Sequence, residues 1–402
     1  MHILIADKLS SHVKESLMDA GHRVHVDSEL KEGSLTAAIK EHDPEVLVVR
    51  STKVQADQLA AAGKLSMIIR AGAGTNTIDV TTASDRGIYV ANCPGKNAVA
   101  VAELTIGHLV NCDRRIADNV QDLREHTWAK KKYSKARGLR GRTLAVLGCG
   151  RIGQEVIKRA QAFGMVIKAW SRSLTPEKAE ALGVEFCASP HAAAQGADAL
   201  TVHLALTDAT KHIVNDDILN AVNPGAYIIN TSRGEMVDEA ALIRAMDERG
   251  LRAGLDVFDN EPGASDPKFE SEITKQPNMY GTHHIGASTD EASEAVGDEV
   301  VRIVRIFGNE GWVPNCVNIA ESTPATHALI VRHADKVGVL ANLLGQLKEE
   351  GINVQQMENI IFKGAAACAR IQLADAPSPT ALSAIDANPD VFNTSLVELE
   401  KS

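Results

Sequence analysis

The sequence predicts an α/β protein of two lobes, each a parallel sheet covered by helices, followed by a smaller βαββαβ unit. Three observations carry this. Short runs rich in Val, Ile and Leu recur between longer amphipathic stretches, the alternation of a parallel sheet wrapped by helices. A Gly148-x-Gly150-x-x-Gly153 run stands between one such strand and a helix pattern. Beyond Glu321-Ser322-Thr323-Pro324 the order of elements changes. With 402 residues, two or three domains are expected at a prior of roughly one per 150 residues.

Along the chain, the first lobe has candidate strands at residues 2–6, 23–26, 45–49, 67–70 and 89–91. The second has them at 143–148, 166–170, 199–203, 227–230 and 253–257. Residues 97–140 begin as a helix pattern (Val101, Leu104, Leu109), read as a bridge between the lobes. They end in Lys130-Lys131-Lys132-Tyr133, which reads as a solvated loop because no aromatics interleave the lysines and the chain is acidic. The terminal unit reads as a strand at 326–332, a helix at 339–350 stopped by Gly351, strands at 352–358 and 366–373, a helix near 379–386 and a strand at 394–399. That order is ferredoxin-like.

Composition excludes several classes. Hydrophobic residues at 44% and charged residues at 23% are the ordinary balance of a folded chain. Lys and Arg total 42 against 52 Asp and Glu, a formal charge of -10, so nothing in bulk attracts nucleic acid or an anionic membrane. An anionic substrate then needs a local cationic pocket. No apolar run approaches the roughly 20 residues of a membrane span, and charge appears too early after Met1 for a signal peptide. A soluble, cytoplasmic protein is expected. Six scattered cysteines without a C-x-x-C pair suggest neither disulfides nor zinc, and no metal is expected.

The glycine run follows a strand and opens a helix whose apolar face reads Ile152, Val156, Ala160 and Phe163. In that context it is a dinucleotide cradle. Gly148 permits the turn, Gly150 lets backbone approach a pyrophosphate, and Gly153 lets helix and strand pack. The helix N-terminus at Arg151 and Ile152 supplies positive potential. An NAD-binding unit carries an acidic residue about 20 residues further on; here the stretch is Trp170-Ser171-Arg172-Ser173. A guanidinium beside hydroxyls suits a 2′-phosphate, so between NAD(H) and NADP(H) the reading leans to NADP(H).

Three later segments contain Arg233, Asp256 with Glu261, and His283-His284. Arg233 and Asp256 follow strand-like runs, and ligands of open α/β sheets bind outside the carboxyl ends of strands. An Arg, a carboxylate and a His there suit acid–base chemistry on a carboxylate-bearing substrate.

In this order after the glycine run, these residues resemble the D-isomer-specific 2-hydroxyacid dehydrogenases over nearly the whole chain. Arg50-Ser51-Thr52-Lys53-Val54, Arg70-Ala71-Gly72-Ala73-Gly74 and residues 97–103 are similar to the branch of that family that oxidises 3-phosphoglycerate. The terminal unit is similar to that branch's ACT regulatory domain. The resemblance implies two lobes, Rossmann-like or flavodoxin-like: a discontinuous substrate domain of residues 1–96 and 284–316, and a dinucleotide domain of residues 97–283. A linker at 317–325 and an ACT-like unit at 326–402 follow. It implies His284 as the acid–base group, Glu261 as its partner, Arg233 as the anchor of the substrate carboxylate, and Asp256 among the cofactor contacts. Arg50, Ser51, Lys53, Arg70, Ala73, Gly74 and Asn97 are then the substrate contacts of a small anionic 2-hydroxy or 2-oxo acid. The implied function is oxidation of 3-phosphoglycerate in serine biosynthesis. A glyoxylate/hydroxypyruvate reductase and a dinucleotide-sensing corepressor remain as alternatives.

In the ACT-like unit, His333, Asp335 and Asn353 match the positions that bind an amino-acid effector. The serine-binding form of the family usually has Asn where this chain has Asp335 and Pro where it has Val337, and an Asp repels an effector carboxylate. The resemblance also implies a homodimer through the bridge segment, or a homotetramer.

Overall fold

The computed structural model describes residues 1–262 and 268–399. The chain divides into two compact units, Met1–Asn318 and the residues from Ile319 onward. In the first unit, β1 (His2–Ile5), β2 (Arg23–Val26), β3 (Val46–Val49), β4 (Met67–Arg70) and β5 (Tyr89–Asn92) form a sheet in the order β2-β1-β3-β4-β5. Every pair is parallel, and the order is flavodoxin-like. All four residues of β3, Val-Leu-Val-Val, are buried, as a strand covered on both faces requires. One covering layer holds Leu35, Ile39 and Leu59. The other holds Val13 and Leu17 with Val296, Val300, Ile303 and Val304. Those last four lie on the helix Asp290–Glu310, so a segment from far downstream closes the first lobe's core.

The second sheet contains β6 (Thr143–Leu147), β7 (Val166–Trp170), β8 (Glu185–Phe186), β9 (Ala199–Val202), β10 (Tyr227–Asn230), β11 (Arg252–Leu255) and β12 (Met279–Gly281). Its order, β12-β11-β10-β9-β6-β7-β8, is the Rossmann order with one strand added at an edge. The order reverses between β6 and β9, which opens a crevice at the strands' carboxyl ends. The sequence pattern does not announce β8 and β12, because two and three residues are too few to show a period of two.

The helix Arg151–Ala162 buries Gly153, Val156, Ile157 and Ala160. Phe163, expected on that face, is 45% exposed: the helix has already ended, and Gly164 at φ +71° turns the chain away. The bridge is two helices rather than one, Ala98–Arg114 and Ile116–Arg124, broken at Arg115 with φ +54°. The expected loop at Lys130–Tyr133 is a helical turn. Asp122 holds it, accepting Lys132 Nζ at 3.0 Å and the Tyr133 hydroxyl at 2.7 Å.

The second unit has β13 (His327–Ala334), the helix Val339–Glu349, β14 (Val354–Ile361), β15 (Ala366–Leu373), the helix Pro379–Asp386 and β16 (Val391–Glu398). The sheet is antiparallel in the order β14-β15-β13-β16, the ferredoxin-like arrangement. Leu329, Val331, Ile371 and Leu373 pack on Leu343, Leu347 and Ile385. The strands β14 and β16 are displaced by one to three residues from their expected ends. Both are edge strands with largely exposed side chains, so burial imposes no alternation that would mark where they stop. Among the described residues no helix is long and apolar enough to cross a membrane, and no group of side chains is arranged to hold a metal ion.

Candidate active site

The glycine loop sits where β6 meets its helix, beside the crevice. Gly148 has φ +106°, and a Cβ there would strike the His203 carbonyl. A Cβ on Gly153 would strike the Gly148 carbonyl, so both positions exclude side chains for lack of room. Gly150 differs. It caps the helix Arg151–Ala162 in extended conformation, and a Cβ would meet nothing within 4 Å. An open backbone at a helix N-terminus fits a pyrophosphate. Arg151, the first residue of this helix, donates to the Pro94 carbonyl of the other lobe, and Ile152 packs partly buried beside Cys149.

Asp256 follows β11, and its segment meets the turn that bears His284. Its Oδ1 accepts the Thr282 hydroxyl at 2.6 Å and the Ile285 amide at 2.9 Å, and its Oδ2 accepts the Gly286 amide at 2.8 Å. Asp256, placed by the sequence among cofactor contacts, thus spends both oxygens on its own chain and acts as the brace of this turn. The Asp256 carbonyl also accepts the His284 amide at 2.8 Å. His284 takes the left-handed region, φ +52°, a conformation uncommon for a residue with a Cβ. From there its Nδ1 meets Glu261 Oε2 at 2.7 Å. Glu261 also accepts the Phe258 amide at 3.1 Å. Burial alone would raise the Glu261 carboxyl, but the bond from His284, its charge, and the Phe258 amide hold it below the ordinary value. His283, the neighbouring histidine, has no such partner among the described residues.

Three arginines converge from different strands. Arg70 ends β4, its guanidinium folded over Gly72. Arg233 follows β10, and a Cβ on Gly74 would stand 2.5 Å from its Nη2, so the first lobe's glycine-rich turn lies against the second lobe's arginine. Asn230 holds the Arg233 carbonyl at 2.8 Å, and Ser232 is tied to the Val202 carbonyl at 2.6 Å. Arg50 is set by Asp7, whose Oδ2 accepts the backbone amides of Arg50, Ser51 and Thr52 at 2.6, 3.1 and 3.0 Å. Burial pushes Arg70 down to about 10, and the charges of Arg233 and Arg50 push the same way. None of the three forms an ion pair with a carboxylate among the described residues. Arg70 Nε in this cluster has no hydrogen-bond partner, nor has Asn97 Oδ1 at the start of the helix Ala98–Arg114. Half-buried guanidiniums that lack a carboxylate partner fit an anion.

Other predicted residues fall differently. Ser51, Lys53 and Arg172 are exposed, Ser171 is half-buried, and none of the four is held in the arginine cluster. The Ala73 carbonyl is taken by Asn92 Nδ2 at 2.6 Å. In the second unit, His333 is buried with Nδ1 on the Ala334 carbonyl at 2.7 Å and Nε2 facing Asn359 at 3.1 Å. It is therefore engaged inside the unit instead of being offered to an effector, whereas Asp335 and Asn353 are exposed. Sequence reasoning missed Asp7, Asn92, His108 and Thr282. Only the carboxylate just past β1 carried a readable signal, since an Asp after a strand commonly takes up turn amides.

The fold and the glycine loop define a dinucleotide-binding α/β protein. The chain belongs to the D-isomer-specific 2-hydroxyacid dehydrogenase family. The family's NAD-binding domain, described as "D-isomer specific 2-hydroxyacid dehydrogenase, NAD binding domain", matches residues 106–286. A hydroxypyruvate reductase of Thermotoga maritima is 40% identical over 310 residues, 76% of this chain and 97% of that one. A D-3-phosphoglycerate dehydrogenase of Methanocaldococcus jannaschii is 36% identical over 353 residues, 87% of this chain. The chain spans 66% of the length of that relative. Among solved structures, the NADPH-dependent glyoxylate/hydroxypyruvate reductase of Sinorhizobium meliloti, in complex with citrate, superposes with a TM-score of 0.68 at 30% identity. The match covers 79% of this chain and 97% of that one.

Proposed function

We propose that this protein oxidises D-3-phosphoglycerate to 3-phosphohydroxypyruvate with a nicotinamide dinucleotide, the step that opens serine synthesis. The observation that carries the reading is the convergence of Arg50, Arg70 and Arg233 without a carboxylate partner. A single carboxylate needs one guanidinium; a substrate with a carboxylate and a phosphate accounts for three. When bound, the cofactor supplies the hydride acceptor. Arg233 holds the substrate carboxylate, and Arg50 and Arg70 take the phosphate. Because Nδ1 of His284 is committed to Glu261, Nε2 is the nitrogen left to remove the hydroxyl proton, and the imidazolium returns it in reduction. In this reading the lobe of residues 1–96 and 284–316 binds substrate and residues 97–283 bind the cofactor.

Preference for NADP(H) belongs to the same proposal. It is supported by Ser171 and Arg172 after β7, where no carboxylate stands to reject a 2′-phosphate. A homodimer through the bridge is supported by Ile116, Val120, Leu123 and Trp128, all exposed. Effector binding at the ACT-like terminal unit rests on Asp335 and Asn353.

A second reading, an NADPH-dependent glyoxylate/hydroxypyruvate reductase, is favoured by the same Ser171-Arg172 pair. Initial rates with 3-phosphoglycerate, glycerate, lactate and 2-hydroxyglutarate against both cofactors decide between them. The proposal expects the highest kcat/KM with 3-phosphoglycerate. Equal or better turnover of glycerate moves the assignment to the reductase, and no turnover of any acid leaves the dinucleotide-sensing reading.

A further inference from the structure

The helix Ala98–Arg114 carries a histidine that the proposed reaction does not use. His108 is buried against β11, where Gly254 makes room for it: a Cβ on Gly254 would stand 2.7 Å from His108 Cβ. Its Nε2 lies 3.1 Å from the Thr282 hydroxyl. That hydroxyl has one proton and gives it to Asp256 Oδ1 at 2.6 Å, since an ionised carboxylate only accepts. The hydroxyl oxygen must therefore accept from His108, which sets the Nε2–H tautomer. Burial lowers the basicity of this imidazole, and the neutral ring still has the one N–H the bond needs.

The chain of bonds ends at the acid–base pair. Asp256, aligned by Thr282, grips the Ile285 and Gly286 amides at 2.9 and 2.8 Å. A Cβ on Gly286 would crowd Asp256 Oδ2 at 2.9 Å, so the carboxylate fits this turn closely. The Asp256 carbonyl takes the His284 amide. Together these bonds hold His284 in the left-handed conformation from which its ring meets Glu261. A residue in that region persists only where its surroundings over-determine it.

We infer that His108 is a positioning residue: through Thr282 and Asp256 it holds the turn that aims His284 at Glu261 and the substrate. The inference rests on the proposed role of His284 as the acid–base group. In that reading His108 acts through Thr282 and Asp256 and not on the reacting atoms.

The test compares His108→Phe, which fills the space without a donor, with His108→Gln, which restores an N–H at similar reach. Thr282→Val breaks the chain from the other side. Two readouts are taken on the full-length protein: amide hydrogen exchange of the segment 282–288, and kcat and KM with 3-phosphoglycerate. For His108→Phe and Thr282→Val, exchange at Ile285 and Gly286 is expected to rise about tenfold. In the same two variants kcat is expected to fall about tenfold or more, with KM for the cofactor within about twofold. His108→Gln is expected to recover most of both. The inference is overturned if folded His108→Phe keeps wild-type exchange and kcat, or if His108→Gln is as impaired as His108→Phe. If His108→Phe does not fold, Thr282→Val decides alone. If the wild-type protein turns over no hydroxy acid, the proposed reaction falls while the exchange readout still judges the brace.

Discussion

Replacing Glu299 by Gln removes a buried carboxylate held by three residues at once. Arg302 donates Nη2 at 2.5 Å and Nε at 3.0 Å, Asn315 Nδ2 at 2.8 Å, and Lys96 Nζ lies at 3.2 Å. The bonds from Arg302, Asn315 and Lys96 outweigh burial and take the carboxyl from 4.5 to about 2. At 1.36 kcal/mol per unit this is roughly 3 kcal/mol as an upper bound. The Arg302 and Lys96 side chains are 40% and 37% exposed, so solvent screening brings the expected loss to about 2 kcal/mol. The sign follows from a depressed carboxyl. The stabilisation is complete above about pH 4.5 and is lost as pH falls from there towards about 2. Urea unfolding of wild type and Glu299→Gln followed by tryptophan fluorescence measures it. All three tryptophans, Trp128, Trp170 and Trp312, lie in the first unit, so the signal reports that unit alone. Lys96 precedes Asn97, and its release is also expected to raise KM for the substrate. A difference below about 0.5 kcal/mol at pH 7, or one that persists unchanged at pH 3, would refute the reasoning.

Three further outcomes are expected. His284→Ala removes proton handling and lowers kcat by about 10²–10⁴, while cofactor affinity by fluorescence titration stays within about twofold; turnover near wild type sinks the assignment. Gly153→Ala forces a Cβ against the Gly148 carbonyl. Because backbone must move at the phosphate cradle, cofactor Kd should weaken by about tenfold or more and stability drop by about 1–3 kcal/mol; an unchanged Kd contradicts the cradle. Arg172→Asp sets a carboxylate beside the 2′ position, so kcat/KM with NADPH should fall about tenfold while that with NADH holds or rises; equal losses with both cofactors remove the support for NADP(H).

How legible was this protein before its structure? The strands 23–26, 67–70, 166–170, 227–230 and 366–373 coincide with β2, β4, β7, β10 and β15; the first four are short runs set between helix patterns, and β15 alternates as a strand with one buried face does. Of the candidate cleft, the glycine loop follows from residue type and spacing, while the roles given to Arg70, Arg233, Glu261 and His284 come through the family resemblance. The pairing of His284 with Glu261 was readable as chemistry but not as a contact, since 23 residues separate them. The burial of His333 and its bonds to Ala334 and Asn359 are not legible from residue type and position.

Local pattern and motif spacing therefore settle the α/β class, the cradle and the kinds of group the site requires, because period and turn chemistry are properties of neighbouring residues. The brace from His108 through Asp256 to His284 belongs to the tertiary structure alone, while the gathering of Arg50, Arg70 and Arg233 and the closing of the first lobe by the helix Asp290–Glu310 enter the sequence reading only through the family resemblance. The reason is physical. Each joins residues distant in the chain, and charge repulsion, tautomer and backbone strain at such points are set by packing that no local window of sequence contains.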